Sequence, residues 1–136
     1  ETKMEVAAAI IVNEENKVLM GKRLDDGKTC SGLWEFPGGK RKRAESLEKC
    51  VIRECKEELG VEVKIDECYH VDRHLYLEGP IELVFFLVHI TQGEVECRVH
   101  QALQWLNYDE LSSLDHCPGD EALIARLMKE RPGYRG

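Results

Sequence analysis

Apolar residues along the chain gather in short runs separated by polar breaks, and the rhythm of those runs predicts the elements. Residues 4–13 are rich in Val, Ile and Ala and end in the polar group Asn13, Glu14, Glu15, Asn16. Residues 17–23 follow with apolar Val18 and Leu19, so the two runs predict a hairpin around a short polar loop. Residues 25–32 are polar and contain glycine, which predicts a loop, and residues 33–36 predict a short strand stopped by Pro37-Gly38-Gly39. From Ser46 to Leu59 there is neither Pro nor Gly, and Gly60 ends the run, which predicts a helix. Residues 61–65 and 68–77 predict two strands, residues 78–80 a turn, and residues 81–90 a long apolar strand at the sheet centre. Gly93 marks a further turn, and residues 102–106, with Trp105, end the sheet. A terminal helix over residues 121–129 presents Ala122, Leu123, Ile124, Ala125 and Leu127 as its apolar face. With no repeat or linker in view, one α+β domain over residues 1–136, a mixed sheet flanked by helices, accounts for the pattern.

Composition narrows the function classes. A chain of 136 residues buries about two-thirds of its extended surface, enough for a core without staples. The longest apolar run, residues 6–12, falls well short of the roughly 20 residues a membrane span needs. No basic segment followed by an apolar stretch opens the chain, so the expectation is a cytoplasmic protein with no membrane partner. A net charge of −7 argues against polymeric nucleic acid, because binding its phosphates calls for a basic face. The basic cluster at residues 40–43 is short and reads as a solvated loop. A small polyanion remains compatible, since a bound divalent metal reverses the local sign of an acidic site. The six cysteines show no C-x-x-C pair and no zinc-finger spacing, which predicts reduced thiols, several of them buried.

The predicted 46–59 helix carries the candidate chemistry. At about 100° per residue, Glu54, Glu57 and Glu58 share one arc with Arg53 at its edge. Val51, Ile52, Cys55 and Leu59 form an adjoining arc that can pack on a sheet. Like charges at i,i+4 repel, so this arc asks for compensation. It comes either from solvent with Arg53 and Lys56 as partners or from a hard divalent cation, which takes oxygen ligands.

The wider spacing resembles the signature of a known family. Gly39, then Glu45, then Arg53-Glu54-Cys55-Lys56-Glu57-Glu58-Leu59-Gly60-Val61 match the Nudix box in all seven fixed letters. Val61 fills one of its two bulky apolar places. Cys55 fills the other, where a free cysteine acts as a small hydrophobe. Trp34-Glu35-Phe36-Pro37-Gly38-Gly39 and Arg23 are similar to the MutT-like branch. His100-Gln101-Ala102-Leu103, Trp105 and Pro118-Gly119-Asp120-Glu121 resemble its small cytidine-triphosphate pyrophosphohydrolases. The resemblance implies the Nudix fold, an α/β/α sandwich around a mixed sheet with the box as a loop–helix–loop.

The resemblance also implies roles. Glu54, Glu57, Glu58 and the Gly38 carbonyl would hold Mg²⁺, with Mn²⁺ as a substitute, and Glu54 would be the first choice as general base. Arg53 would orient a carboxylate of the set, Glu45 would brace the loop, and Gly38 and Gly39 would let the backbone turn sharply. A further loop glutamate common in the branch falls at Val99 here, with Glu94, Glu96 or water as the replacement. Substrate would contact Arg23, Phe36, Gly39 and Asp120. Asp120 would either read a base, accepting from an amine such as cytosine N4, or cap the last helix.

The implied activity is hydrolysis of a nucleoside triphosphate to the monophosphate and pyrophosphate, on cytidine-type or oxidised nucleotides, by a monomer or homodimer. The alternatives are a Nudix hydrolase of ADP-ribose or of a dinucleoside polyphosphate, whose branch the position of Tyr76 resembles, and a non-catalytic nucleotide-binding Nudix module.

Overall fold

The computed structural model describes residues 4–76 and 79–136; Leu77, Glu78 and the side chain of Tyr76 lie outside that description. Four strands form the main sheet. They are β1 (Met4–Ile11), β4 (Gly38–Lys40), β5 (Glu62–Tyr76) and β6 (Gly79–Gln92), in the order β4-β1-β6-β5. The β1–β6 pair is parallel and the others are antiparallel, so the sheet is mixed as the sequence predicts. A second sheet has the order β3-β2-β7, from β2 (Val18–Lys22), β3 (Trp34–Glu35) and β7 (Ala102–Leu106). Two helices, α1 (Leu47–Leu59) and α2 (Glu121–Glu130), complete the layers, with a 3₁₀ turn at Tyr108–Ser113.

The apolar run of β1 is continuous because the strand is buried on both faces. Ala7, Ala9 and Ile11 face α1, where they join Cys50, Val51, Cys55 and Leu59 in one core. Ala8, Ile10 and Val12 face the other way and join Met20, Phe36, Phe85 and the α2 residues Leu123, Ile124 and Leu127 in a second core. Alternation along a single strand thus builds both halves of the α+β sandwich.

Four expectations need correction. The 4–13 and 17–23 runs are not a hairpin. They belong to different sheets and meet only at the turn, through the Val12–Val18 bridge and Asn13 N–H donating to Lys17 O at 3.0 Å. Residues 61–65 and 68–77 do not form two strands. Residues 62–76 of this stretch run as one bulged strand, β5, whose register shift at Ile65/Glu67 frees Asp66 to accept from His89 Nδ1 at 2.9 Å. Gly38-Gly39 does not simply end a strand, because Gly38–Lys40 is itself β4, paired with β1. Gly79 and Pro80, expected in a turn, already belong to β6.

Candidate active site

Helix α1 is well defined at both ends. Ser46 caps its start by accepting from Lys49 N–H at 3.1 Å, and Gly60 closes it in the left-handed conformation, donating to Lys56 O at 3.0 Å. The rigid cylinder between these caps holds the acidic arc beside β4.

Arg53 organises that arc. Its Nε and Nη2 donate to the two oxygens of Glu45 at 2.7 and 3.0 Å, a bidentate clamp from the helix to the preceding loop. Nη2 also donates to Lys40 O at 3.2 Å, and Nη1 reaches Glu54 at 2.7 Å and Glu57 at 3.1 Å. The Arg53 hydrogen bonds, with the Lys42 N–H beside them, hold the Glu45 carboxyl down to about 2, so it is ionised across the physiological range. Lys56 does not serve the arc, because it pairs with Glu62 at 2.6 Å. One guanidinium therefore serves three carboxylates, Glu45, Glu54 and Glu57.

Glu54 and Glu58 meet each other. Burial, and after it the Glu54 carboxyl alongside, push Glu58 up to about 9, while the Gly38 N–H works the other way. Glu58 Oε1 is buried and has no hydrogen-bond partner. Glu54 lies directly on the glycine backbone, where a Cβ on Gly39 would stand 2.5 Å from its carboxyl carbon. Two carboxyls pressed together with an orphaned oxygen need a proton or a cation between them, and a hard divalent ion suits this oxygen donor set. The residues present therefore fit a Mg²⁺-type ion. Among the described residues no three acidic, His or Cys side chains are gathered at metal distance, since the largely exposed Glu57 is turned aside onto Arg53. Glu57 would have to rotate to join the other two. A bound ion would polarise phosphoryl oxygens and acidify a water molecule there.

Gly38 gives this arrangement a stability test. A Cβ there would stand 2.2 Å from Ala7 O and 2.6 Å from Ala8 Cα, both backbone atoms of the buried strand β1. Gly38→Ala should therefore lower unfolding stability by about 1–3 kcal/mol, visible as a lower urea midpoint. An unchanged midpoint would mean that β4 does not pack as described.

On the far side of Gly38 and Gly39 lies a cavity of about 480 Å³, a size in the range of small-molecule sites. Phe36 and Phe85 form its apolar floor, edge to face at 5.8 Å. Phe36 thus belongs both to the core and to the cavity wall. Arg23 and Glu35 stand on another wall and are joined at 3.0 Å. Arg23 Nε is buried and has no partner. The second Glu35 oxygen accepts from His100 Nε2 at 2.9 Å, and Gly21 makes room for that imidazole, since a Cβ there would strike it at 2.6 Å.

Asp120 also lines the cavity. It occupies the N-cap position of α2, yet its side chain makes no capping bond. Its burial pushes the carboxyl up to about 7, against the opposing effect of His116. Position alone left cap and cavity group as equal readings. The hydrogen bonds remove the cap.

Other residues fall elsewhere. Glu96 pairs with Arg98 at 3.1 Å, beside Gly60 at the end of α1, and Val99 is exposed. Glu94 is also exposed. Glu35 and His100 are functional-site residues that lie inside the Trp34–Gly39 and His100–Leu103 motifs without a role of their own in the sequence pattern.

The cysteines require a correction as well. Cys30 and Cys117 are joined by a disulfide, with Cα atoms 5.4 Å apart, and both line the cavity. Cys50 and Cys55 are free and buried, and burial pushes their thiols up to about 11 and about 12. Cys68 and Cys97 are free and exposed.

Comparison with known proteins shows the family and the fold. The chain is 32% identical over 127 residues to the 8-oxo-dGTP diphosphatase of Escherichia coli, covering 93% of this chain and 98% of that one. It is 34% identical over 129 residues to the CTP pyrophosphohydrolase of the same organism, covering 94% and 93%. Among solved structures, the E. coli ORF135 protein superposes with a TM-score of 0.82 at 32% identity, over 96% of this chain and 91% of that one. The MutT protein of Methanosarcina mazei shares the fold with a TM-score of 0.83 at 22% identity, over 96% of each chain. Among the described residues no helix is long and apolar enough to cross a membrane. The model of the NUDIX domain matches residues 2–127, and with the box on α1 and the sandwich around it, the chain belongs to the Nudix family.

Proposed function

We propose that this protein is a Mg²⁺-dependent nucleoside triphosphate pyrophosphohydrolase, converting a triphosphate and water to the monophosphate and pyrophosphate. One observation carries the reading. The Glu54–Glu58 pair, braced by Arg53, lies against Gly38 and Gly39, and those glycines line a nucleoside-sized cavity with Asp120 in its wall. Phosphates at the glycine edge would lie beside the acidic arc, and the base would stack over Phe36 toward Asp120. Arg23, with a free Nε donor, would hold the nucleotide between them. Glu54 takes the attacking water's proton, and Glu45 and Arg53 fix its orientation. Names carried by relatives support both an oxidised purine and a cytosine as the base. The Asp120 carboxyl favours cytosine, whose N4 amine donates to it.

A panel of nucleotides tests this reading, with Mg²⁺ or EDTA, scoring pyrophosphate and orthophosphate separately. The expected result is metal-dependent pyrophosphate release from a triphosphate, with CTP or dCTP ahead of 8-oxo-dGTP. Turnover of ADP-ribose or a dinucleoside polyphosphate alone would overturn it, and so would full activity in EDTA.

A further inference from the structure

The Cys30–Cys117 disulfide bridges two walls of the cavity. One is the loop between β2 and β3, which brings in Lys28 and Thr29. The other is the segment before α2, which brings in Pro118 and Asp120. Apart from the disulfide, the two walls are held very differently. The 115–117 segment is fixed to β3, because Trp34 N–H donates to Asp115 O at 2.9 Å and Cys117 N–H to Trp34 O at 3.1 Å. The loop bonds to itself. Gly27 N–H donates to Ser31 Oγ at 3.1 Å, Ser31 Oγ to Asp25 at 3.0 Å, Ser31 N–H to Lys28 O at 3.0 Å and Gly32 N–H to Leu24 O at 3.3 Å. Residues 24–29 are exposed, and Cys30 sits at φ 59°, a left-handed conformation uncommon for a residue with a Cβ. The disulfide is the loop's cross-link to the 115–117 segment.

We propose that Cys30 and Cys117 form a reversible thiol–disulfide modification site that sets the order of the cavity wall. Oxidised, the pair pins the 24–32 loop over the cavity and keeps Lys28 and Thr29 in its wall. Reduced, the loop loosens while the fold stays intact, because the 115–117 segment keeps its bonds to β3.

The co-reactant is a low-molecular-weight disulfide such as glutathione disulfide. The thiolate of one cysteine attacks it, forming a mixed disulfide and expelling one thiolate. The second cysteine thiolate then attacks the cysteine sulfur of that mixed disulfide, forming the Cys30–Cys117 bond and expelling the other. The two protons lost from the cysteines end on the two released thiols. A dithiol reductant runs the sequence backward and is itself oxidised.

The test uses the full chain carrying Cys68→Ser and Cys97→Ser, which removes the exposed thiols and leaves Cys30, Cys50, Cys55 and Cys117. Its protein is equilibrated with glutathione disulfide or with dithiothreitol. Three quantities are then read in each state: thiols in denaturant, amide exchange over residues 24–32, and KM and kcat for CTP with Mg²⁺. The expected thiol counts are two oxidised and four reduced. Loop exchange should rise about tenfold on reduction, and KM about three- to tenfold, with kcat at saturation unchanged. Cys30→Ser in the same background should give the reduced loop exchange and KM in both buffers, with three thiols in dithiothreitol instead of four. Four thiols in both buffers, equal loop exchange in both states, an unchanged KM, or a KM response that survives Cys30→Ser would each overturn the proposal. The KM arm rests on the hydrolase reading and the other two do not. If thiols and exchange respond while no nucleotide is hydrolysed, that reading fails and the redox site stands.

Discussion

Glu54→Gln and Glu58→Gln should each lower kcat by at least ~10²-fold while leaving the fold intact, the loss expected when a charge that holds a catalytic metal is removed. The two should differ in metal-free stability. Glu58 is a buried carboxyl with an orphaned oxygen, held up to about 9, so near pH 8 the metal-free fold must keep a proton there that the unfolded chain has lost, a cost its neutral isostere removes. Metal-free Glu58→Gln should therefore melt at or above the wild-type temperature at pH near 8. Glu54→Gln gives up the charge-assisted bond from Arg53 at 2.7 Å and should melt no higher than wild type. Turnover assays and thermal melts in EDTA check both. Near-normal kcat in both variants would remove the acidic arc from the chemistry.

Asp120→Asn should alter which base is preferred and how that preference depends on pH. Burial pushes the Asp120 carboxyl up to about 7, so the acceptor form required by cytosine N4 fills in as the pH rises through neutrality. The wild-type preference for CTP over UTP should climb between about pH 6 and pH 8, whereas the Asn variant should show a flat, weaker preference. The change in relative kcat/KM is expected to be about 5- to 150-fold, or ~1–3 kcal/mol.

Stability follows the same titration with a definite sign. The folded-state value lies above the ordinary 3.8, so the folded protein holds this proton where the unfolded chain has lost it. The associated stability is complete below about pH 4 and declines until about pH 7, then stays level. Wild type should therefore lose melting temperature relative to Asp120→Asn across that window. An identical base ranking in the two proteins would leave base choice to Arg23, Phe36 and their neighbours.

What the sequence made legible was mostly local. Ser46, Gly60 and the spacing from Gly39 to Val61 lie within one stretch of chain, so α1 and its acidic face could be read directly, and the structure adds how Arg53 distributes its donors. Contacts between distant segments were hidden. The β1 run announces burial but not its partner, and it pairs with β6 rather than with the neighbouring β2. Gly38 and Gly39 look like breakers until the closeness of β1 and Glu54 shows why no side chain fits at those two positions of β4. Cys30 and Cys117 are 87 positions apart with no local pattern linking them, so absence of a spacing motif pointed wrongly to free thiols. Asp120 has the residue type and position of a helix cap, and only its burial and missing capping bond distinguish it from one. Glu35 and His100 were visible as motif letters, but their shared hydrogen bond depends on β3 lying near the β7 approach.

The most direct test of the central claim is hydrolysis of CTP by the wild-type protein with Mg²⁺ in ¹⁸O-labelled water, with products identified by mass. The account predicts CMP and pyrophosphate as the first products, the label in pyrophosphate, and no turnover after EDTA. CDP with orthophosphate as first products, label in CMP, or undiminished turnover in EDTA would contradict it.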